Sequence, residues 1–341
     1  MTLVSISPGW RAFSQLCEAT FGTAQARASS LAWSGEPVDT EPGKVWTNKD
    51  EYNGELAPTQ QQTLTWKFET KHSQLMQPHN AALFLSMLLG SCTDASLSAG
   101  PPAAYSHKIL MDATDLEPPT RTMEEYDGAN ALIYPGVACS KVDISCERED
   151  FAKIEATLIG MGKETDNTPV PTRPAVIAEN YLTYGDGDIK LGVTYAGTNP
   201  PSSGTSIASR VRSFKVGISN GAKMVYLFND ATGYAGRVVR ARQPQFDVEL
   251  DLEFADRTEK AALLASTETS LYIPLIGATI TGAHKFQVSL IFPRVTYNKP
   301  KKGVDDGVLL LNAGFTVMSD LTYGPCVIWI NNSQAAYTAT S

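Results

Sequence analysis

The sequence predicts a mainly β protein in which two modules with the same order of elements stand in tandem. Runs of alternating apolar and polar residues outnumber helical periods along most of the chain. A strand followed by a short helix and then by hairpin-rich segments occurs twice, from residue 63 and from residue 246. The 341 residues are 43% hydrophobic, which supplies enough apolar surface for such an architecture. The expected layout is an N-terminal arm and extended segment over 1–62, a first β module over 63–190, a linker over 191–208 and a second β module over 209–341.

Residues 1–62 are rich in Gly, Pro, Ser, Thr and charge around Trp10, Trp33 and Trp46, and Glu36-Pro37 and Glu41-Pro42-Gly43 mark extended or turning backbone. Such a segment has little core of its own. Its tryptophans either bury against a neighbouring chain or cover their own domain, and the sequence leaves both open.

In Thr63-Leu-Thr-Trp-Lys-Phe-Glu69 the period of two places Leu64, Trp66 and Phe68 on one face, which predicts a half-buried strand. The apolar stretch 78–90 has Pro near its start and Gly at its stop, the asymmetry of a helix. Strands are expected around 120–123, 132–137, 141–146 and 151–159. Pro169, Pro171 and Pro174, then Asn199-Pro-Pro-Ser-Ser-Gly204, predict the crossing between modules. Tyr184-Gly-Asp-Gly-Asp188 reads as a hairpin turn, since it lacks the spacing and the distal Glu of a calcium loop.

The second module contains Phe246-Asp-Val-Glu-Leu-Asp-Leu-Glu-Phe254, whose alternation puts five hydrophobes on one face of a strand and Asp247, Glu249, Asp251 and Glu253 on the other. Asp256 followed by Glu259 has capping-box spacing and opens a predicted helix over 256–265. Strands over 271–276, 285–292 and 308–318 complete the module. Four carboxylates on one strand face repel one another. They are solvated, paired with Lys or Arg on a neighbouring strand, or kept unpaired so that another polyanion does not adhere.

Composition narrows the function classes. A net charge of −8 and a pI near 5.1 argue against a protein that grips nucleic acid by its phosphates, but not against one that surrounds it. No apolar run of about 18 residues occurs, and the start lacks a basic segment followed by a long apolar stretch. A soluble chain made in a cytoplasm, with no membrane partner, is therefore expected. Five cysteines, an odd number without a CxxC pair, predict free thiols and neither a disulfide framework nor a metal site.

Catalytic motifs are not met. In Gly160-Met-Gly-Lys-Glu164 a phosphate loop would need Gly where Thr157 stands and Ser or Thr where Glu164 stands. His72 and His79 are seven residues apart, and His107 and His284 stand alone, so none forms an i, i+4 metal pair. No enzyme and no cofactor is expected. A β-rich carbohydrate-binding or hydrolytic domain is the alternative, and it predicts an aromatic-lined groove and a monomer.

Several segments together resemble the tail tube proteins of long-tailed bacteriophages, the siphophage type. They are Glu18-Ala-Thr-Phe-Gly-Thr23, Glu117-Pro-Pro-Thr-Arg-Thr-Met-Glu124, Tyr134-Pro-Gly-Val137, Lys141-Val-Asp-Ile-Ser145, Phe214-Lys-Val-Gly-Ile-Ser-Asn220 and the strand 246–254, in that order over nearly the whole chain. The resemblance implies β-sandwich modules, each with a short flanking helix, whose inner sheets join into a ring-wide β-barrel. It further implies rings stacked into a hollow tube, a tape measure protein and DNA in the lumen, and tail tip and tail terminator proteins at the ends. The chain is then expected in the virion tail and, during assembly, in the host cytoplasm. With two modules per chain, three chains make a pseudo-six-fold ring; a hexamer is the alternative.

On this reading Asp247, Glu249, Asp251 and Glu253 line the bore, joined by Glu69, Asp143, Glu147 and Glu155, because cationic contacts to DNA would add friction. Trp33 and Trp46 are the expected stacking anchors. Residues 24–62 and 90–105 are expected to reach a neighbouring chain or ring. The cations Arg237, Arg240, Arg242, Lys301 and Lys302 are expected to pair with acidic surfaces of adjacent subunits, with solvated loops as the other reading.

Overall fold

A computed structural model of the chain describes residues 10–25, 30–33, 43–48, 61–126, 131–166, 172, 179–227, 232–253, 261, 265, 267–298, 301–305 and 308–337. Its described residues are mainly strand, with one α-helix. None of its described helices is long and apolar enough to cross a membrane.

Six antiparallel strands form the first sheet, in the order Gln61–Leu75, Lys153–Gly160, Ala131–Glu147, Val211–Ser219, Gln245–Glu253 and Val308–Met318. Three of these come from the predicted first module and three from the second. Their seam runs from Ser213 opposite Glu147 to Ser219 opposite Lys141. Each strand alternates, so Val142 and Ile144, Phe214 and Val216, and Val248 and Leu250 all point into the core while their neighbours point away.

A second set of strands covers that core. It runs Gly90–Ser98, Ala104–Met111, Val327–Asn332, His284–Tyr297, Thr269–Thr281 and the short Lys190–Leu191. Leu271, Ile273, Leu290 and Ile328 from this set join Val248 and Leu250 in one apolar cluster. The predicted strands over 132–137 and 141–146 are one long strand, Ala131–Glu147. Its register against Lys153–Gly160 shifts between Cys139 and Lys141, an irregularity of the bulge type. Its first half pairs with Arg121–Tyr126 and its second half with the six-stranded sheet.

The helix Pro78–Leu89 is where the sequence places it, but it does not flank the fold. All twelve of its residues are buried. It packs on Ala131–Glu147 from one set of strands and on Ala104–Met111 and Val327–Asn332 from the other. A helix without a single charged residue has no strongly solvated face to offer, so a central position is the one its composition permits. Gly90 ends it at φ 96°, a left-handed value that a side chain rarely adopts.

Two further expectations are corrected and a third gains a structure. The N-terminal segment is not core-poor throughout: Trp10–Ser14 is a strand between Ser30–Trp33 and Arg121–Tyr126, and it buries Trp10, Ala12 and Phe13. Residues 90–105, expected to reach a neighbouring chain or ring, form a hairpin in which Gly90–Ser98 pairs with Ala104–Met111. Tyr184–Asp186 is a short 3-10 turn and not a hairpin, closed by Asp186 accepting the Thr183 N–H at 2.7 Å. The predicted second helix, 256–265, lies outside the described residues except for Ala261 and Ala265, where the Ala265 N–H donates to the Ala261 carbonyl at 2.9 Å.

Candidate functional site

Directly paired residues of an antiparallel sheet point to the same side, so the registers show which charges share a face. Asp247 stands opposite Gly217, Glu249 opposite Lys215 and Asp251 next to Ser213. Across the next seam Gly217 faces Asp143 and Ser213 faces Glu147. Asp143 is in turn opposite Glu155. Glu69 is opposite Ile159, four residues further along that strand. The eight acids named from sequence therefore lie on one side of one sheet, the side turned away from the apolar core.

Five lysines of the described residues interleave with them on this face: Lys67, Lys71, Lys141, Lys153 and Lys215. Lys71 reaches Glu155 at 3.4 Å and Lys141 reaches Asp143 at 2.6 Å. Lys153 turns to Asp150 at 2.7 Å. Glu253 meets Arg212 at 3.1 Å and Arg148 at 3.8 Å, at the margin of the face. Asp251 accepts hydrogen bonds from neutral partners, Ser213 Oγ at 2.6 Å and Asn312 Nδ2 at 2.8 Å. Among the described residues Asp247 and Glu249 have no ion pair within 4.0 Å. Excess negative charge is thus concentrated on Gln245–Glu253, and the acids of Gln61–Leu75, Ala131–Glu147 and Lys153–Gly160 are partly neutralised.

Gly217 sits between Asp143 and Asp247 at the middle of this face. A Cβ there would come within 2.8 Å of Asp143 Oδ1, so the absence of a side chain keeps the two carboxylates side by side over open backbone. Glu69 is at the rim, in a hollow also lined by Ile159, Ala222, Met224 and Tyr226. Lys141, Lys215 and Gly217 were legible in Lys141-Val-Asp-Ile-Ser145 and Phe214-Lys-Val-Gly-Ile-Ser-Asn220, where the same period of two marks the outward positions.

The predicted contact residues fare differently. Arg237 is exposed beside Glu117 at 3.7 Å, and Arg242 is exposed. Arg240, expected on the surface, is only 4% exposed. Its guanidinium donates to the Leu89 carbonyl at 2.7 Å and to the carbonyls of Asp112 and Asp115, closing the end of the helix from within the chain. Trp33 and Trp46 lie on strands, opposite Arg11 and Thr63, and Lys301 and Lys302 lie opposite Asn312 and Leu311. The side chains of these four lie outside the described residues.

The remaining segments of the resemblance converge on one carboxylate. Glu18 accepts the Gly22 N–H at 3.1 Å, the Thr120 hydroxyl at 2.9 Å, the Thr122 hydroxyl at 2.8 Å and the Gly136 N–H at 3.0 Å. Gly22, in a turn, and Gly136, at an irregularity inside the strand Ala131–Glu147, have φ of 74° and 70°, left-handed values that glycine makes possible. Segments more than a hundred residues apart are thereby fastened at one point.

Residues 9–317 match the family model described as phage tail tube protein. No curated protein matches the chain. The match covers most of the chain, and the chain belongs to this family of structural proteins of the bacteriophage tail.

Proposed function

We propose that this tail tube protein polymerises into stacked rings whose six-stranded sheets together form the wall of the bore, with the acidic face turned to the lumen through which DNA is ejected into the host. The observation that carries the reading is the gathering of Asp247, Glu249, Asp251, Glu253, Glu69, Asp143, Glu147 and Glu155 on one face of one sheet, opposite the core. Phosphate neutralisation is the main term in non-specific DNA binding, so a surface on which carboxylates outnumber lysines holds DNA weakly and lets it slide. The lysines keep the acids from repelling the sheet apart. No bond chemistry is required.

Three strands from each half of the chain make up the sheet, which supports a chain of two modules and a trimeric, pseudo-six-fold ring in preference to a hexamer. The partners are then further copies of the chain, a tape measure protein and DNA inside, and tip and terminator proteins at the ends. Averaged electron micrographs of assembled tubes test the symmetry, and six chains per ring would sink the trimer. The lining is tested separately with Asp247→Asn, Glu249→Gln, Asp251→Asn and Glu253→Gln combined. Intact tubes with slowed DNA ejection are expected; intact tubes with unchanged ejection would remove the lining role.

A further inference from the structure

A second polar cluster, unconnected with the acidic face, lies where Gly90–Ser98 and Ala104–Met111 pair beside the helix. Cys92 and Asp94 are two residues apart on one strand and so share a face, and His107 stands directly opposite Asp94. One donor atom from each lies within 4.8 Å of the other two. His107 Nδ1 is 2.6 Å from Asp94 Oδ1, and the Cys92 thiol donates to the same oxygen at 3.2 Å.

The surroundings orient these groups. Asn332 Oδ1 accepts the Gln334 N–H at 2.9 Å while Asn332 Nδ2 donates to the Tyr337 hydroxyl at 2.8 Å, which settles which end of that amide is the oxygen. His107 Nε2, 2.9 Å from that oxygen, must therefore carry a hydrogen, and Nδ1 is the nitrogen aimed at Asp94 and Cys92. The other oxygen of Asp94 accepts the Tyr337 N–H at 3.3 Å. A metal-ligating histidine characteristically donates its far N–H to a fixed oxygen, and a ligating carboxylate is itself held by hydrogen bonds. Both features are present. His107 is fully buried, whereas Asp94 keeps 17% of its side chain open to solvent, which provides access.

We propose that Cys92, Asp94 and His107 form a binding site for a divalent ion of the zinc class, held by one thiolate, one carboxylate and one imidazole with a fourth position open. Mixed sulfur, nitrogen and oxygen donors suit zinc in preference to magnesium or calcium. Ligand atoms around a tetrahedral ion stand roughly 3.3–3.7 Å apart. The Cys92 to Asp94 spacing is already close to that, and the His107 to Asp94 spacing needs about 0.7 Å of opening. Binding exchanges protons for the ion. The Cys92 S–H proton and the proton held between His107 Nδ1 and Asp94 Oδ1 leave, and bonds from sulfur, nitrogen and oxygen to the metal form. Through Asn332 and Tyr337 the ion would also fasten the C-terminal segment to this hairpin.

The full-length chain tests this directly. After expression in zinc-supplemented medium and gel filtration, elemental analysis should find about one zinc per chain. Titration with cobalt(II) should produce a thiolate-to-metal charge-transfer absorption. Cys92→Ser keeps a hydrogen-bond donor for Asp94; it should fold, as judged by circular dichroism, lose that absorption, and bind zinc more weakly by over roughly 100-fold, beyond the loss typical of an outer-shell change. Cys17→Ser, altering a thiol that faces the Tyr337 carbonyl at 3.6 Å, should leave the absorption in place. A wild-type chain with no zinc and no cobalt–thiolate band, or a folded Cys92→Ser chain with undiminished zinc affinity, overturns the site.

Discussion

The outward face of the six-stranded sheet and the polar network beside the helix are both rich in charge, yet they are built on opposite terms. On the face, each carboxylate stands in water with its sheet neighbours, and its position follows from the residue two places before it. In the network, Arg121 is fully buried and donates to the carbonyls of Ser14 at 2.9 Å, Gln15, and Tyr337 at 2.6 Å, and to the Ser86 hydroxyl at 3.2 Å. These partners come from both ends of the chain and from the helix. A charged face of this kind is periodic, local and replaceable, whereas a charged interior is aperiodic, long-range and indispensable.

The sharpest test of that contrast is Arg121→Met. It fills much of the volume but leaves buried carbonyls without donors, so unfolding stability should fall by about 3–5 kcal/mol. The urea midpoint reads this, and limited proteolysis near residues 10–25 should rise as the N-terminal strand loosens. A loss under about 1 kcal/mol would place Arg121 with the replaceable charges. Within the sheet, Leu250→Ala removes a fully buried side chain between Glu249 and Asp251 and should lose about 2–5 kcal/mol.

The same contrast separates what was legible in the sequence from what was not. The strand 246–254 could be sorted into two faces because its period is unbroken, and Gln245–Glu253 keeps both faces as read. The helix was legible from Pro78 and Gly90, but its central place was hidden in a signal of another kind, the absence of any charged residue. Residues 90–98 carry no strand signal of their own because Ser, Ala and Gly have weak strand preference; pairing with Ala104–Met111 makes the strand. Arg240 read as a surface cation because nothing local announces that Leu89, Asp112 and Asp115 lie around it. Cys92, Asp94 and His107 carry no sequential ligand spacing, and only the hairpin register brings them together.

A pH series probes the interior at one site. Burial raises the Glu179 carboxyl from 4.5 to about 7, against the hydrogen bonds it accepts from the His79 N–H and from Ser333. The folded state holds this proton more tightly than the unfolded chain, so the contribution to stability is complete below pH 4.5 and is lost as pH rises to about 7. Burial lowers the His79 imidazole to about 3, which acts in the opposite sense: its contribution is present above 6.5 and lost as pH falls toward 3. Comparing Glu179→Gln with wild type at each pH cancels the histidine. The two should coincide below pH 4.5 and diverge to an advantage for the variant of roughly 3 kcal/mol at pH 7 and above. Equal stabilities across the whole range would mean that Glu179 is hydrated in solution.

The smallest expected effect falls on the face. Lys215 and Glu249 are directly opposed, with neither held in an ion pair within 4.0 Å among the described residues. Their attraction is screened by water and salt, and fixing two flexible side chains opposes it. Glu249→Gln alone should change stability by less than about 0.5 kcal/mol, and a double-mutant cycle with Lys215→Ala should give a coupling of about 0.2–1 kcal/mol that fades at high salt. A coupling above about 2 kcal/mol, unaffected by salt, would mean that this pair is desolvated. The face would then be closed by a partner or a neighbouring copy rather than open to water, and an open bore would have to be lined by something else. A weak, salt-sensitive coupling leaves Glu249 free of structural duty in the fold, which is the condition that the proposed role of its charge requires.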